Sequence, residues 1–369
     1  MKKILIFHPY LAPYRIDLYN HLAKCYNIKV ALFGSKAELA TLGYNLNYVN
    51  QLADFDYKYY SGGFRIGRHL LSWIYFRLIK SFKPDLILSH ELGINTLAAI
   101  LFKKLFGYKI FTTIDDSHVM AMNYSAKREI LRKFVVKHID GAIVVNPLVK
   151  SYLETKYSNS KCEFIYFPII QDDTVLSQKI NETKDLANKY IKDYDLQNQS
   201  LVLFVGRLEK IKNPALLLRA FKDLKESEVK LIIVGSGSQE NELHDLAASL
   251  GISDKVIFTG SLTGKDLYAW YYLADLFVLP SQFEPFGAVV NEALVAGCFV
   301  LVSDKVGSAS LINSSNGRIF ESNNEKQLTD KIEKGLKERG KKKHISRMEH
   351  SFSWYFNNLK AFFNESRLP

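Results

Sequence analysis

Glu284 and Glu292 stand with seven residues between them in the run Gln282-Phe283-Glu284-Pro285-Phe286-Gly287-Ala288-Val289-Val290-Asn291-Glu292-Ala293. The run follows the apolar segment Leu276-Phe277-Val278-Leu279, which reads as a strand. The first carboxylate falls in a Pro/Gly loop. The second falls in a stretch, 288–296, that is apolar nearly all round and so predicts a buried helix broken only by Asn291 and Glu292. An ionised carboxylate in such a helix is costly unless something pairs with it or hydrogen-bonds it. Ribose hydroxyls of a bound nucleotide would serve; a buried Arg or Lys is the bland alternative, and Glu284 in its loop has simple solvation as its own.

A second group of residues suits an anion. The run Leu201-Val202-Leu203-Phe204-Val205 leads into Gly206-Arg207-Leu208-Glu209-Lys210-Ile211-Lys212-Asn213-Pro214. Asn213 and Pro214 read as an N-cap and a first helical residue, so Arg207 and Lys212 belong to a loop entering a helix. Fixed cations beside the positive end of a helix dipole favour phosphate, with Arg forking onto oxygens and Lys acting as a point charge. Ordinary surface charges are the competing reading. Gly235-Ser236-Gly237 allows close backbone approach but lacks the third glycine of a dinucleotide fingerprint. The segment 303–308, with Gly307, is a further candidate phosphate cradle.

Short β-type runs alternate with helical patterns along the whole chain, which predicts parallel sheets covered by helices. Strands are expected near 3–7, 28–32, 85–89, 109–113, 141–145 and 163–167, and again near 201–205, 230–234, 255–259, 275–279 and 298–302. The polar segment 171–200 lacks β-type runs and marks a boundary. We expect a first domain over 1–170, a second over 171–350, and an aromatic-rich helix over 351–369 that packs back on the first domain. Ligands in doubly wound folds bind beyond the carboxyl ends of the strands, which makes a cleft between the two domains the default site.

The chain has 369 residues, 47% of them apolar, which excludes a disordered chain and suits two globular domains. Its formal charge of +11 is unevenly placed: residues 1–170 hold 23 Lys and Arg against 12 Asp and Glu, and the rest of the chain is balanced. The first half must therefore meet something anionic. No helix-turn-helix, zinc finger or RNA-binding signature is present, so a nucleic-acid partner is not expected. An anionic membrane surface fits better, because 64–82 interleaves Arg65, Arg68, Arg77 and Lys80 with Leu70, Trp73, Phe76 and Ile79 as an interfacial helix does. The segment 125–139 adds Lys127, Arg128, Arg132, Lys133 and Lys137, and solvated faces of ordinary helices are the alternative. Three scattered cysteines point to a reducing compartment and to no zinc site. No stretch approaches a membrane span, and the four-residue apolar run before His8 is too short for a signal peptide. The expected location is cytoplasmic and membrane-peripheral.

Taken in order, Gly206-Arg207-Leu208 with Lys212-Asn213, Ile233-Val234-Gly235-Ser236-Gly237, Val256-Ile257-Phe258-Thr259-Gly260, Ala274-Asp275-Leu276-Phe277-Val278-Leu279-Pro280-Ser281, the paired glutamates and Phe352-Ser353-Trp354 resemble the retaining glycosyltransferases of family 4. The resemblance spans 201–354 and is looser in the first half, chiefly Lys83-Pro84-Asp85-Leu86-Ile87. It implies an α/β fold of GT-B type: two Rossmann-like doubly wound domains facing across a cleft. It also implies transfer of a sugar, with retention, from a nucleotide diphosphate sugar of UDP or GDP type to a saccharide or lipid-linked saccharide, without metal or other cofactor. Arg207 and Lys212 would then hold the diphosphate, and Glu284 would touch the donor sugar beside the backbone of Phe286 and Gly287. Glu292 would bind the ribose. Phe258 and Gly260 would lie by the base, with Gly206, Gly235 and Gly237 lining the donor site.

The sequence also departs from that family. The usual Gly-Gly loop after the first strand is replaced by His8-Pro9-Tyr10-Leu11-Ala12-Pro13-Tyr14-Arg15, and Asp115-Asp116 stands where a His-Asp pair is common. Tyr14, Arg15, His90 and Asp115 are the acceptor-side candidates. A nucleotide-sugar epimerase of the same fold, or a non-catalytic sugar-nucleotide or membrane-binding module, remains open on these residues.

Overall fold

The computed structural model describes residues 1–34, 46–66, 69–338 and 344–365. The chain divides into two compact units, Met1–Ile169 with Ser353–Pro369, and Ile170–Phe352.

The first unit holds strands β1 (Lys3–His8), β2 (Asn27–Leu32), β3 (Tyr57–Tyr59), β4 (Phe64–Ile66), β5 (His69–Leu71), β6 (Leu86–His90), β7 (Lys109–Ile114), β8 (Gly141–Val144) and β9 (Glu163–Tyr166). Seven of them form one parallel sheet in the order β3-β2-β1-β6-β7-β8-β9. Every residue of β7 and β8 is buried, as strands covered on both faces require. Connections run outward in opposite directions from β1 and β6. Their carboxyl ends, His8 and His90, therefore flank the switch point where such sheets bind ligands. The helix Phe352–Glu365 lies on this same sheet: Phe362 and Phe363 meet the Phe111 ring edge-on at 5.2 and 5.0 Å.

The second unit repeats the plan with β10 (Ser200–Val205), β11 (Val229–Val234), β12 (Val256–Gly260), β13 (Leu276–Leu279), β14 (Phe299–Ser303) and β15 (Gly317–Phe320). The order is β12-β11-β10-β13-β14-β15, all parallel, with the switch point between β10 and β13. The buried helix expected over 288–296 is present as Val289–Ala296, and Gly297 closes it in the left-handed conformation.

Two local expectations are corrected. The interfacial helix read over 64–82 is not one element. Phe64–Ile66 and His69–Leu71 pair as antiparallel strands, residues 67 and 68 lie outside the described residues, and the helix is only Ile74–Phe82. Gly62, Gly63 and Gly67 disfavour helix there, and the Ser72 hydroxyl accepts from the Ile74 amide at 3.1 Å, starting the helix late. Asn213 and Pro214 do stand at the N-cap and first position of the helix Pro214–Lys222, but the Asn213 side chain makes no capping hydrogen bond. Asn213 takes a left-handed conformation after the single 3-10 turn Lys210–Lys212, and its amide donates to Asn323 Oδ1 at 3.0 Å.

Candidate functional site

In the second unit, three strand ends deliver their loops into backbone contact. The Gly206 amide donates to Val234 O at 3.0 Å, and the Gly235 amide to Gly260 O at 2.8 Å. Gly235 has φ +148°, and a Cβ there would lie 1.9 Å from Gly206 O, so only glycine fits. Gly237 sits against the Leu208 backbone, where a Cβ would lie 2.5 Å from Leu208 O. Phe258 lies on β12 with its ring against His244, centroids 4.0 Å apart.

The charged residues gather at the ends of β10 and β13. Arg207 is exposed on the first loop. Lys212 Nζ donates to Glu284 Oε2, and both side chains are only 15% exposed. A cation and a carboxylate that lie far apart in sequence thus share one half-buried position, where their attraction is stronger than at the surface. The Glu284 loop is threaded against the segment after β14: the Glu284 amide donates to Lys305 O (3.1 Å), Gly307 N donates to Glu284 O (2.9 Å), and Ser308 N donates to Phe286 O (2.7 Å). Ser308 Oγ is buried beside Gly287 and has no hydrogen-bond partner. A buried hydroxyl left in that state is costly, and an oxygen-rich ligand would relieve it.

Glu292 accepts from Gln171 Nε2 at 2.7 Å and from the Tyr271 hydroxyl. Burial pushes its carboxyl above the usual range in spite of these two bonds. Its partners are neutral groups, so the sequence alternative of a buried Arg or Lys does not hold. Asn291, the other polar residue of the helix, accepts from the Gln171 amide at 2.9 Å. Gln171 thus ties down both polar residues of the helix, and nothing in its sequence context signals that.

The first unit has its own polar cluster at the switch point. Arg15, on helix Pro13–Cys25, forms an ion pair with Asp115, at 2% and 16% side-chain exposure. Burial alone would lower the Arg15 pKa, but Asp115 outweighs it and the guanidinium stays charged. His90 Nδ1 lies 2.8 Å from Thr113 Oγ1, and its ring packs on His8 with centroids 4.0 Å apart. Burial first, then Arg15, pushes His90 down to about 3; His8 is likewise held neutral by burial, and its Nε2 has no partner. Glu91 takes φ +58°, accepts from the Asp115 amide at 2.9 Å, and is pushed up to about 8 by burial and then by Asp115 and Asp116. Tyr14 lies beneath the Arg15 guanidinium, 5.6 Å from ring centroid to Cζ.

The structure therefore brings Arg15, His90 and Asp115 together with Tyr14 beside them. It adds His8 and Glu91, which sequence reasoning did not single out. Their signal was there: both are polar residues closing strands that are otherwise buried. His118 is elsewhere, edge-on to Tyr152 at 6.4 Å. His90, Glu91 and Asp115 present ligand atoms within 4.8 Å of one another. Arg15, seated on Asp115, already supplies the cation there, and its charge opposes a divalent ion.

Comparison with known proteins extends this description. Residues 188–350 match the family described as glycosyl transferases group 1. The chain is 42% identical over 116 residues to an uncharacterized glycosyltransferase of Methanocaldococcus jannaschii, covering 31% of this chain and 30% of that protein. It is 29% identical over 262 residues to a Campylobacter jejuni enzyme, N-acetylgalactosamine-N,N'-diacetylbacillosaminyl-diphospho-undecaprenol 4-alpha-N-acetylgalactosaminyltransferase, covering 65% of this chain and 67% of the enzyme. The matched stretch thus spans less than a third of the first relative and two thirds of the second. Among solved structures, Anabaena HepE in complex with UDP and glucose aligns over 99% of this chain and 100% of its own, with a TM-score of 0.71 at 15% identity. That likeness shows the fold, two Rossmann-like domains of GT-B type.

Proposed function

We propose that this chain, whose residues 188–350 match the glycosyl transferases group 1 family, moves a hexosyl group, with retention, from a nucleotide diphosphate sugar to a saccharide acceptor carried on a lipid. The observation that carries this reading is the Lys212–Glu284 pair at the switch point of the second sheet, with Arg207 on the same loop. Arg207 and Lys212 hold the diphosphate and stabilise its charge as the bond to the anomeric carbon breaks. The acceptor hydroxyl forms the new bond on the same face and gives its proton to the departing diphosphate oxygen. Glu284 takes the donor sugar's hydroxyls when Lys212 turns to the phosphate, and the Ser308 hydroxyl and the amides around Phe286 and Gly287 complete the cradle. Glu292 binds the ribose, Phe258 and Gly260 flank the base, and Gly206, Gly235 and Gly237 let the nucleotide approach the backbone. We assign acceptor recognition to Tyr14, Arg15, His90 and Asp115. Support for a lipid-carried acceptor comes from the Campylobacter relative, whose name specifies a diphospho-undecaprenol acceptor.

The test is thermal shift of the purified protein with UDP, GDP, dTDP and their sugar conjugates, beside Glu292→Gln and Lys212→Ala. A nucleotide at a hundred times its Kd adds about 2.7 kcal/mol, a shift of a few degrees. Stabilisation by one nucleotide is expected, weakened in both variants, with turnover in Lys212→Ala reduced ~10²–10³-fold. No stabilisation by any nucleotide overturns the donor site. Isomerisation of the donor sugar without an acceptor identifies an epimerase instead.

A further inference from the structure

The first unit carries a large apolar trough, about 780 Å³ in volume, away from the polar cluster at the sheet's switch point. Three neighbouring helices form it: Ile74–Phe82, Ile94–Phe106 and Ala126–His138. Trp73, Leu97, Leu101 and Phe134 are among its lining residues. Several large side chains on these helices, or in the case of Trp73 just before the first of them, stand in solvent: Trp73 is 78% exposed, Leu101 72%, Leu105 68%, Ile130 71% and Phe134 45%. Scattered exposed apolar residues are ordinary on a protein surface, whereas a contiguous group around a concavity marks a binding face.

The charge on the same three helices is one-sided. Arg77, Lys80, Lys104, Lys127, Lys133 and Lys137 are all exposed. Glu129 is the one acidic residue among the three helices, and it is taken up by ion pairs with Arg132 and Lys156. Lys103 is only partly exposed and pairs with Asp140 at 2.7 Å, so it does not count toward the unpaired exposed charge. Aromatic and aliphatic tips ringed by lysine and arginine match the boundary between acyl chains and anionic headgroups. A second copy of this chain would bring like charge against like charge across the same face.

We infer that this face docks on an anionic phospholipid bilayer, with Trp73, Leu101 and Phe134 entering the headgroup region and the six basic residues pairing with lipid phosphates. The docking does not depend on sugar transfer, so its failure and that of the proposed function are separable.

The full chain is mixed with vesicles of phosphatidylcholine alone or of phosphatidylcholine with phosphatidylglycerol, and the bound fraction is read by sedimentation. The expected result is binding to the mixed vesicles only, weakened by salt as exposed charges are, with a blue shift of tryptophan fluorescence that Trp73→Phe removes. Leu101→Glu with Phe134→Glu is expected to lower the bound fraction at least tenfold. Lys104→Glu with Lys133→Glu is expected to do the same, both double variants keeping the native melting curve because the side chains are exposed. Equal binding to both vesicle types, no binding, or binding unchanged in Leu101→Glu/Phe134→Glu overturns the proposal. A dimer in solution that those same two substitutions dissociate would show that a second copy covers the face, and overturns it too.

Discussion

Glu91 follows the strand Leu86–His90 in a left-handed conformation, and its second carboxylate oxygen is buried with no partner. A buried carboxyl pushed up to about 8 stays protonated through neutral pH while the unfolded chain ionises near 4.3. Its contribution to stability is therefore intact below that lower value and is lost as pH rises through about 8. His8 and His90, both lowered, act in the other direction: their contribution is present above about 6.5 and lost as pH falls. Between pH 6.5 and 8 the two histidines no longer contribute and the Glu91 slope continues, worth up to about 2 kcal/mol. Melting followed by circular dichroism should fall across that window in the native chain and stay level in Glu91→Gln. Equal slopes would mean that Glu91 is ionised in the fold. Its position beside a buried strand could be seen in the sequence, but its protonation state could not, because that depends on burial and on Asp115 and Asp116, residues 24 and 25 positions away that only the sheet brings near. Arg207, Lys212, Glu284 and Glu292 could be picked out because local pattern alone, charge beside a strand end or within an apolar helix, marks them as unusual. The pairing of Lys212 with Glu284, and of Glu292 with Gln171, could not.

At the scale of elements, the loops of the second unit work by backbone proximity. Gly235→Ala would drive a methyl into Gly206 O and force an unfavourable φ, costing about 1–3 kcal/mol and weakening nucleotide binding together with stability. Gly251, at φ +69° with open space around it, is the control: Gly251→Ala carries the conformational cost without the collision. Urea unfolding of the two variants separates the effects, and equal losses would remove the argument that three loops must touch. The buried central strands were readable because β-branched and aromatic residues run unbroken through them, as in Leu201-Val202-Leu203-Phe204-Val205. Of the four edge strands of the two parallel sheets, β9 and β12 were expected, near 163–167 and 255–259, and the other two were not. Tyr57–Tyr59 is only three residues long and partly exposed, and Gly317–Phe320 is buried at its two ends with Arg318 and Ile319 exposed between them. Neither carries an apolar run for the eye to find. The hairpin Phe64–Ile66 with His69–Leu71 was hidden for the opposite reason, its apolar and basic residues fitting a helical period that the glycines then forbid.

For the molecule as a whole, the closing helix is a structural part of the first sheet. Phe363 is 2% exposed against Phe111, and a Cβ on Gly141 would lie 2.7 Å from Phe362 Cζ. Phe363→Ala should cost about 3–5 kcal/mol, as for other buried phenylalanines, and the loss should appear in the melting of the chain; a native melting curve would show that the helix is dispensable. The lopsided charge belongs to this scale as well. A first half at +11 and a balanced remainder were visible from composition, whereas the trough that gathers part of that charge around apolar tips required the helices to be in place.

The first unit is discontinuous: it comprises residues 1–169 and resumes at 353, with all of 170–352 folded as the other unit. On a ribosome adding about 5–20 residues per second, that interval lasts roughly ten to forty seconds. Through it, the face around Phe111 and Gly141 waits for aromatic rings that have not yet been translated. The intervening unit, contiguous in sequence, can complete its own sheet in the meantime. The earlier-made sheet closes last, and while residues 170–352 are being made the nascent chain presents an uncovered apolar surface, the kind of surface that chaperones hold.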